Sequence, residues 1–133
     1  MKTGFDILTK VFLIVNVASV LTTINGRVYR RKKTPINSEL QDIVILSLTT
    51  ANAKDVQPAT IIINMFCANF QNGMTNETKL KEITDAVIAV LEAYSQTDGV
   101  YFDVDIRNAM TLQDNIQENM SYTSLRVICN IEK

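Results

Sequence analysis

The stretch 76–94, Asn76-Glu77-Thr78-Lys79-Leu80-Lys81-Glu82-Ile83-Thr84-Asp85-Ala86-Val87-Ile88-Ala89-Val90-Leu91-Glu92-Ala93-Tyr94, decides the fold. Leu80, Ile83, Val87, Val90, Leu91 and Tyr94 recur at steps of three and four, so they share one face of a helix. Lys81, Glu82, Asp85, Ala89 and Glu92 fall on the other side. Thr75 or Asn76 offers an oxygen to cap the first turn, Glu77 puts negative charge there, and Asp98-Gly99 stops the helix. A helix with one apolar stripe needs a surface to bury it. The strand-like segments on both sides supply that surface.

Upstream, Asp42 to Leu48 is a near-continuous apolar run, the pattern of a strand covered on both faces. Thr49 to Pro58 reads as a polar loop. Ala59 to Cys67 alternates, with Ile61, Ile63, Met65 and Cys67 on one face and Ile62, Asn64 and Phe66 on the other. Downstream, Val100 to Arg107 sets Phe102, Val104 and Ile106 against Tyr101, Asp103, Asp105 and Arg107. Ser121 to Ile131 turns Leu125, Val127, Cys129 and Ile131 inward. Between these two strands, Asn108 to Met120 reads as a long polar connection. Met110, Leu112, Ile116 and Met120 give that loop sparse apolar anchors, which marks it as a contact element.

Nearer the start, Asn25-Gly26 is a turn. Arg27 to Thr34 follows as a strand whose alternation makes no apolar face, as suits a charged sheet edge. Pro35 and Asn37-Ser38 break the chain. The segment from Thr3 to Thr22 has some look of a secretory signal, but Asp6 and Lys10 interrupt its front. Its apolar run is well short of the roughly 20 residues of a membrane span. It reads as a helix with a wide apolar arc. Phe5, Leu8, Phe12, Val15 and Ser19 form one row, and Val11, Ile14, Ala18 and Leu21 the next. Such an arc suits burial against a sheet on one side and a neighbouring subunit on another.

The order is therefore α-β-β-β-α-β-β. It predicts an α+β fold, with a single mostly antiparallel sheet of about five strands packed against two helices. The 133 residues read as one domain, 1–133, long enough to bury roughly two-thirds of the unfolded surface.

Composition argues against catalysis. There is no histidine, so the commonest general base and zinc ligand are missing. The four glycines are too scattered to build a phosphate loop. Asp103 and Asp105, two apart on a strand, could form an acid pair or half a divalent-metal site. The plainer reading is a solvated face where Arg107, and Arg126 across the pair, balance them. Cys67 and Cys129 each sit in an apolar run and read as buried thiols, with a disulfide between neighbouring strands still open. No enzyme, metal or cofactor is expected.

The net charge is −1, but the sign is uneven along the chain. Residues 27–33 hold Arg27, Arg30, Arg31, Lys32 and Lys33 with no acid. From Asp98 to the end, six acids face three bases. Such segregation can orient a subunit against a copy of itself. The basic run could also contact phosphates, but with no aromatic ladder or nucleic-acid motif beside it the plainer reading is a soluble edge or subunit-contact strand.

One more pattern spans 24–48. Ile24-Asn25-Gly26-Arg27-Val28-Tyr29 is followed by Pro35-Ile36-Asn37-Ser38, then by Glu39-Leu40-Gln41-Asp42-Ile43-Val44-Ile45-Leu46-Ser47-Leu48. This succession resembles the tail-terminator and tail-completion, or head–tail joining, proteins of tailed bacteriophages. The order of elements is also similar to theirs. The resemblance implies a structural virion protein that forms a homo-oligomeric ring, six-fold or twelve-fold, around the DNA channel. Its partners would be further copies of itself, neighbouring neck, portal-adaptor or tail-tube proteins, and DNA passing through, with no membrane. It would sit at the neck or tail of the virion, after a time in the host cytoplasm. Arg27, Arg30, Arg31, Lys32 and Lys33 become lumen or subunit contacts on charge alone. An alternative is a free nucleic-acid-binding accessory protein that uses the basic strand 27–33. A third reading is an exported protein whose first helix is a signal.

Overall fold

The computed structural model describes residues 4–31, 40–50, 56–94, 100–113 and 119–132. The elements run α1 (Gly4–Val15), α2 (Ala18–Leu21), β1 (Val28–Arg30), β2 (Ile43–Thr50), β3 (Val56–Ala68), α3 (Glu77–Glu92), β4 (Val100–Gln113) and β5 (Met120–Glu132). The five strands form one sheet in the order β1-β2-β3-β5-β4. Every pairing is antiparallel except β1 with β2, which is parallel. The fold is α+β.

The helix at 77–92 is built as its period predicts. Leu80, Ile83, Val87 and Leu91 are buried, while Lys81, Glu82, Asp85, Ala89 and Glu92 are exposed. The Asn76 side chain caps it by accepting from the Lys79 amide at 3.2 Å. Thr84 is buried as well, and its hydroxyl satisfies itself on the Leu80 carbonyl at 2.7 Å. The helix ends at Glu92, so Asp98-Gly99 is not its stop, and that pair lies outside the described residues.

The apolar stripe of α3 meets one face of the sheet. That face carries Val28, Ile43, Ile45, Ile61, Ile63, Met65, Leu125 and Val127, all in one cluster with Leu8, Val11 and Val15 of α1. Ladder register explains the match: Ile45 lies opposite Ile63, and Ile63 opposite Leu125. The alternation on β3 holds, with Ile61, Ile63, Met65 and Cys67 buried and Ile62, Asn64 and Phe66 half-buried on the helix-free face. Each fully buried Ile or Leu contributes roughly 1.5–3 kcal/mol through removal from water.

Four expectations need correction. First, the segment 3–22 is not one helix. The chain breaks at Asn16-Val17, where Val17 is extended (φ −128°, ψ 162°), and one further turn, α2, follows. Asn competes for backbone hydrogen bonds and a β-branched residue disfavours helix, so the break falls where local propensity is weakest. It lets Val20 reach the core. The described helices are three instead of two.

Second, among the described residues β1 covers Val28–Arg30, without Arg27 or Arg31, and the rest of the expected strand, Lys32 to Thr34, lies outside the described residues. Arg31, just past its end, takes φ 75°, a left-handed conformation that does not continue a strand. Third, β3 begins at Val56, inside the expected loop 49–58. Pro58 lies opposite Asn130, past the last β2 partner at Thr50–Ala59. Among the described residues, the proline therefore sits beyond the last pairing of β3 with β2, on a side where it interrupts no ladder bond.

Fourth, β4 runs on to Gln113, so the connection to β5 is short. From Asp105 to Met110 β4 takes five steps while β5 takes two, Arg126 to Ser124, which leaves three extra residues bulged out. Met110 and Leu112 are thus strand residues opposite Ser124 and Tyr122. Met120 opens β5 and is fully buried, so it is a packed residue and not a loop anchor. Ile116 lies outside the described residues.

Candidate assembly edge

The basic segment enters the sheet through a braced turn. The Asn25 side chain accepts from the Gln41 amide at 2.6 Å. Asp42 is almost wholly buried, and its Oδ1 accepts from the Arg27 amide at 2.9 Å. The Ile43 amide donates to the Arg27 carbonyl at 2.9 Å. Gly26 fits between these groups because it has no side chain. A Cβ there would run into Asp42 Oδ1 and stand 2.6 Å from the Gln41 carbonyl oxygen. Among the described residues, Asp42 Oδ2 is buried without a hydrogen-bond partner.

Arg27, Arg30 and Arg31 are all exposed along this edge. Arg30 is oriented by α1. Its Nη1 donates to Thr9 Oγ1 at 3.2 Å, and its guanidinium lies 5.1 Å from the centre of the Phe12 ring. Arg31 is tied back by its amide, which donates to the Ile45 carbonyl at 2.8 Å. Leu8, Thr9, Arg30 and Arg31 line a half-open hollow of about 310 Å³. The structure thus brings Arg27, Arg30 and Arg31 onto one edge, while Lys32 and Lys33 lie outside the described residues.

The acidic pair is on β4. The register sets Asp105 opposite Arg126 and Asp103 opposite Ile128. Among the described residues, no three His, Cys, Asp or Glu side chains gather as a metal site. No described helix is long and apolar enough to cross a membrane.

The cysteines do not pair within one chain. Cys67 lies opposite Ser121 and Cys129 opposite Ala59, eight ladder positions apart, about 26 Å at strand rise. Cys67 is buried and free. Burial pushes its thiol above the ordinary range, against a lowering by the Gln41 hydrogen bond and the Lys79 charge.

One surface feature was not anticipated. The turn between β3 and α3 presents Phe70 at 54 % and Met74 at 65 % exposure. It is nonetheless rigidly bonded. The Phe70 amide donates to the Met74 carbonyl and the Gly73 amide to the Phe70 carbonyl, both at 2.8 Å. Below it, Ser121 Oγ donates to Asn69 Oδ1 at 2.6 Å and lies 3.2 Å from Thr75 Oγ1. Asn72-Gly73 signals the turn in the sequence, but its apolar flanks carry no period that separates core from surface.

The chain matches no family model and no curated protein. Among solved structures it is similar to a chain of the "Virion of native gene transfer agent (GTA) particle", with a TM-score of 0.54 and 12 % identity over 92 % of both chains. At that identity the likeness is one of fold.

Proposed function

We propose that this chain is a structural protein of a phage-like particle, a subunit of a ring at the neck or at the end of the tail, of the tail-terminator or head–tail connector kind. One observation carries the reading: the fold is shared with a virion chain over 92 % of each chain. The resemblance over 24–48 points the same way. Its residues Asn25, Gly26 and Asp42 form the brace that starts the sheet. In a ring the chain acts by holding position, so the role needs no reacting group. Arg27, Arg30 and Arg31 then face either the next subunit or the DNA in the channel.

Peptide mass spectrometry of purified particles tests the proposal. The expected result is this chain at a fixed, small copy number per particle. Its absence from particles, with abundant protein in the producing cell, would overturn the proposal. Salt-dependent DNA binding by the monomer would then favour a nucleic-acid-binding module.

A further inference from the structure

Four exposed apolar side chains lie toward one end of the sheet. β2 begins at that end with Ile43, β3 finishes there with Ala68, and β5 begins there with Met120. Leu40, just ahead of β2, is 48 % exposed. Phe70 and Met74 stand on the turn that leaves β3. The chain from α2 arrives at the same end, because the Asn25 side chain accepts the Gln41 amide and Gln41 Nε2 reaches Cys67 Sγ at 3.9 Å. Leu21, which closes α2 shortly before Asn25, is 37 % exposed. The turn is held in shape before any contact, since the Asn72 side chain also accepts the Met74 amide at 3.0 Å. Phe70 and Met74 therefore need little ordering when something covers them. This end is also poor in charge. Residues 11–26 and 56–76, which carry α2 and the turn, hold no Asp, Glu, Lys or Arg. Asp42 is buried in the brace behind Gly26. The exposed charges at the margin have opposite signs, Arg27 before β1 and Glu77 in the first turn of α3.

We propose that this end is a docking surface for a second copy of the chain, which seats the same end in a two-fold contact centred on Phe70 and Met74. Area supports it. At about 200 Å² for a whole side chain of this size, Leu21, Leu40, Phe70 and Met74 leave about 400 Å² of apolar surface open. A stable contact takes roughly 800 Å² from each partner, of which somewhat over half, about 450 Å², is apolar. Charge supports it as well. Nucleic acid requires cations, which residues 11–26 and 56–76 lack. A two-fold contact sets a surface against itself, so any like charges at its centre would repel. Here the centre is uncharged, and Arg27 and Glu77 at the margin are of opposite sign. Phe and Met are also the residue types that gather, with charge excluded, at the centre of protein contacts. The contact goes beyond the ring reading and stands without it.

Sedimentation of the full chain over a concentration series, at low and high salt, tests the proposal. Wild type should form a dimer, and salt should leave it as tight or tighter, because the covered surface is apolar and uncharged. Phe70→Lys with Met74→Lys sets like charges against each other across the two-fold, so the dissociation constant should rise more than about tenfold. Diluted below the association range, that variant should keep the circular dichroism and thermal midpoint of wild type, which shows that it folds. Hydrogen exchange on wild type needs no substitution. Peptides over 40–42 and 69–76 should gain protection as concentration rises, while the exposed side of α3 around Lys81 and Asp85 should not. Three results overturn the proposal: a wild-type chain that stays monomeric at every concentration, a folded lysine variant that associates like wild type, or protection that appears elsewhere than at 40–42 and 69–76. A monomeric wild type whose 69–76 turn becomes protected only inside purified particles would give this surface to a different protein, and that too overturns the second copy.

Discussion

Gly26 and Asp42 occupy each other's space: a single methyl group on residue 26 would overlap the Asp42 carboxylate. That carboxylate is buried and accepts the Arg27 amide at 2.9 Å, so it has little room to retreat. Gly26→Ala should therefore destabilise the fold by about 1–3 kcal/mol, the usual cost of overpacking. Urea unfolding checks this, with a lower midpoint and an unchanged slope expected. Gly73→Ala is the contrast. Nothing lies within 4 Å of a Cβ there, but φ is +83°, so its cost should be about 1 kcal/mol and come from the backbone alone.

The seam of α3 makes the next prediction. Ile83 is fully buried in the core shared by the helices and sheet. Ile83→Ala should cost about 2–5 kcal/mol. Ala89→Ser, on the exposed side, should stay within about 0.5 kcal/mol. Thermal unfolding of the pair reads the difference. Equal effects would mean that the helix packs the other way round.

That seam was legible before the structure because one face of α3 is buried and the other is wet, so burial follows the 3.6-residue period. The alternation of Ile61 to Cys67 was legible for the same reason at period two. The continuation of β4 past Asn108 was not. An outer strand is held by backbone pairing on one side and needs no apolar alternation there. The bulge after Asp105 also shifts the period midway. The parallel placement of β1 beside β2 depends on contacts between distant segments, and the Asn25–Gln41 bond that begins it spans sixteen residues. On the candidate edge, the charge of 27–33 could be read from the sequence. The hold of α1 on Arg30, through Thr9 and Phe12, could not, because it joins residues 21 apart.

The turn at Phe70 and Met74 should separate surface from support. Phe70→Ser with Met74→Ser removes two exposed side chains and should change stability by no more than about 0.5 kcal/mol each. Ser121→Ala strips the buried hydroxyl that holds Asn69 and Thr75, and should cost about 1–3 kcal/mol. Denaturant titration of both variants checks the order. A larger loss from the surface pair would show that the loop is packed and not presented.

Cys67 gives a pH dependence with a fixed sign. Burial raises its thiol pKa in the folded state, so the folded chain holds the proton more tightly than the unfolded chain. The associated stability is present below the unfolded value, about 8.5, and is lost as pH rises through the folded value. Stability should thus fall more steeply above about pH 8.5 in wild type than in Cys67→Ala. Unfolding midpoints measured from pH 7 to pH 10 test this, and parallel curves would remove the effect. Alkylation of Cys67 in the folded chain should also be slow at neutral pH, because little thiolate forms.

A ring subunit of the proposed kind occupies one place in the particle, and gold-labelled antibody against the chain, imaged on purified particles, locates it. Label should be confined to the junction of head and tail or to the end of the tail tube. Label scattered over the whole particle, or none on particles that are otherwise complete, would rule the proposed role out.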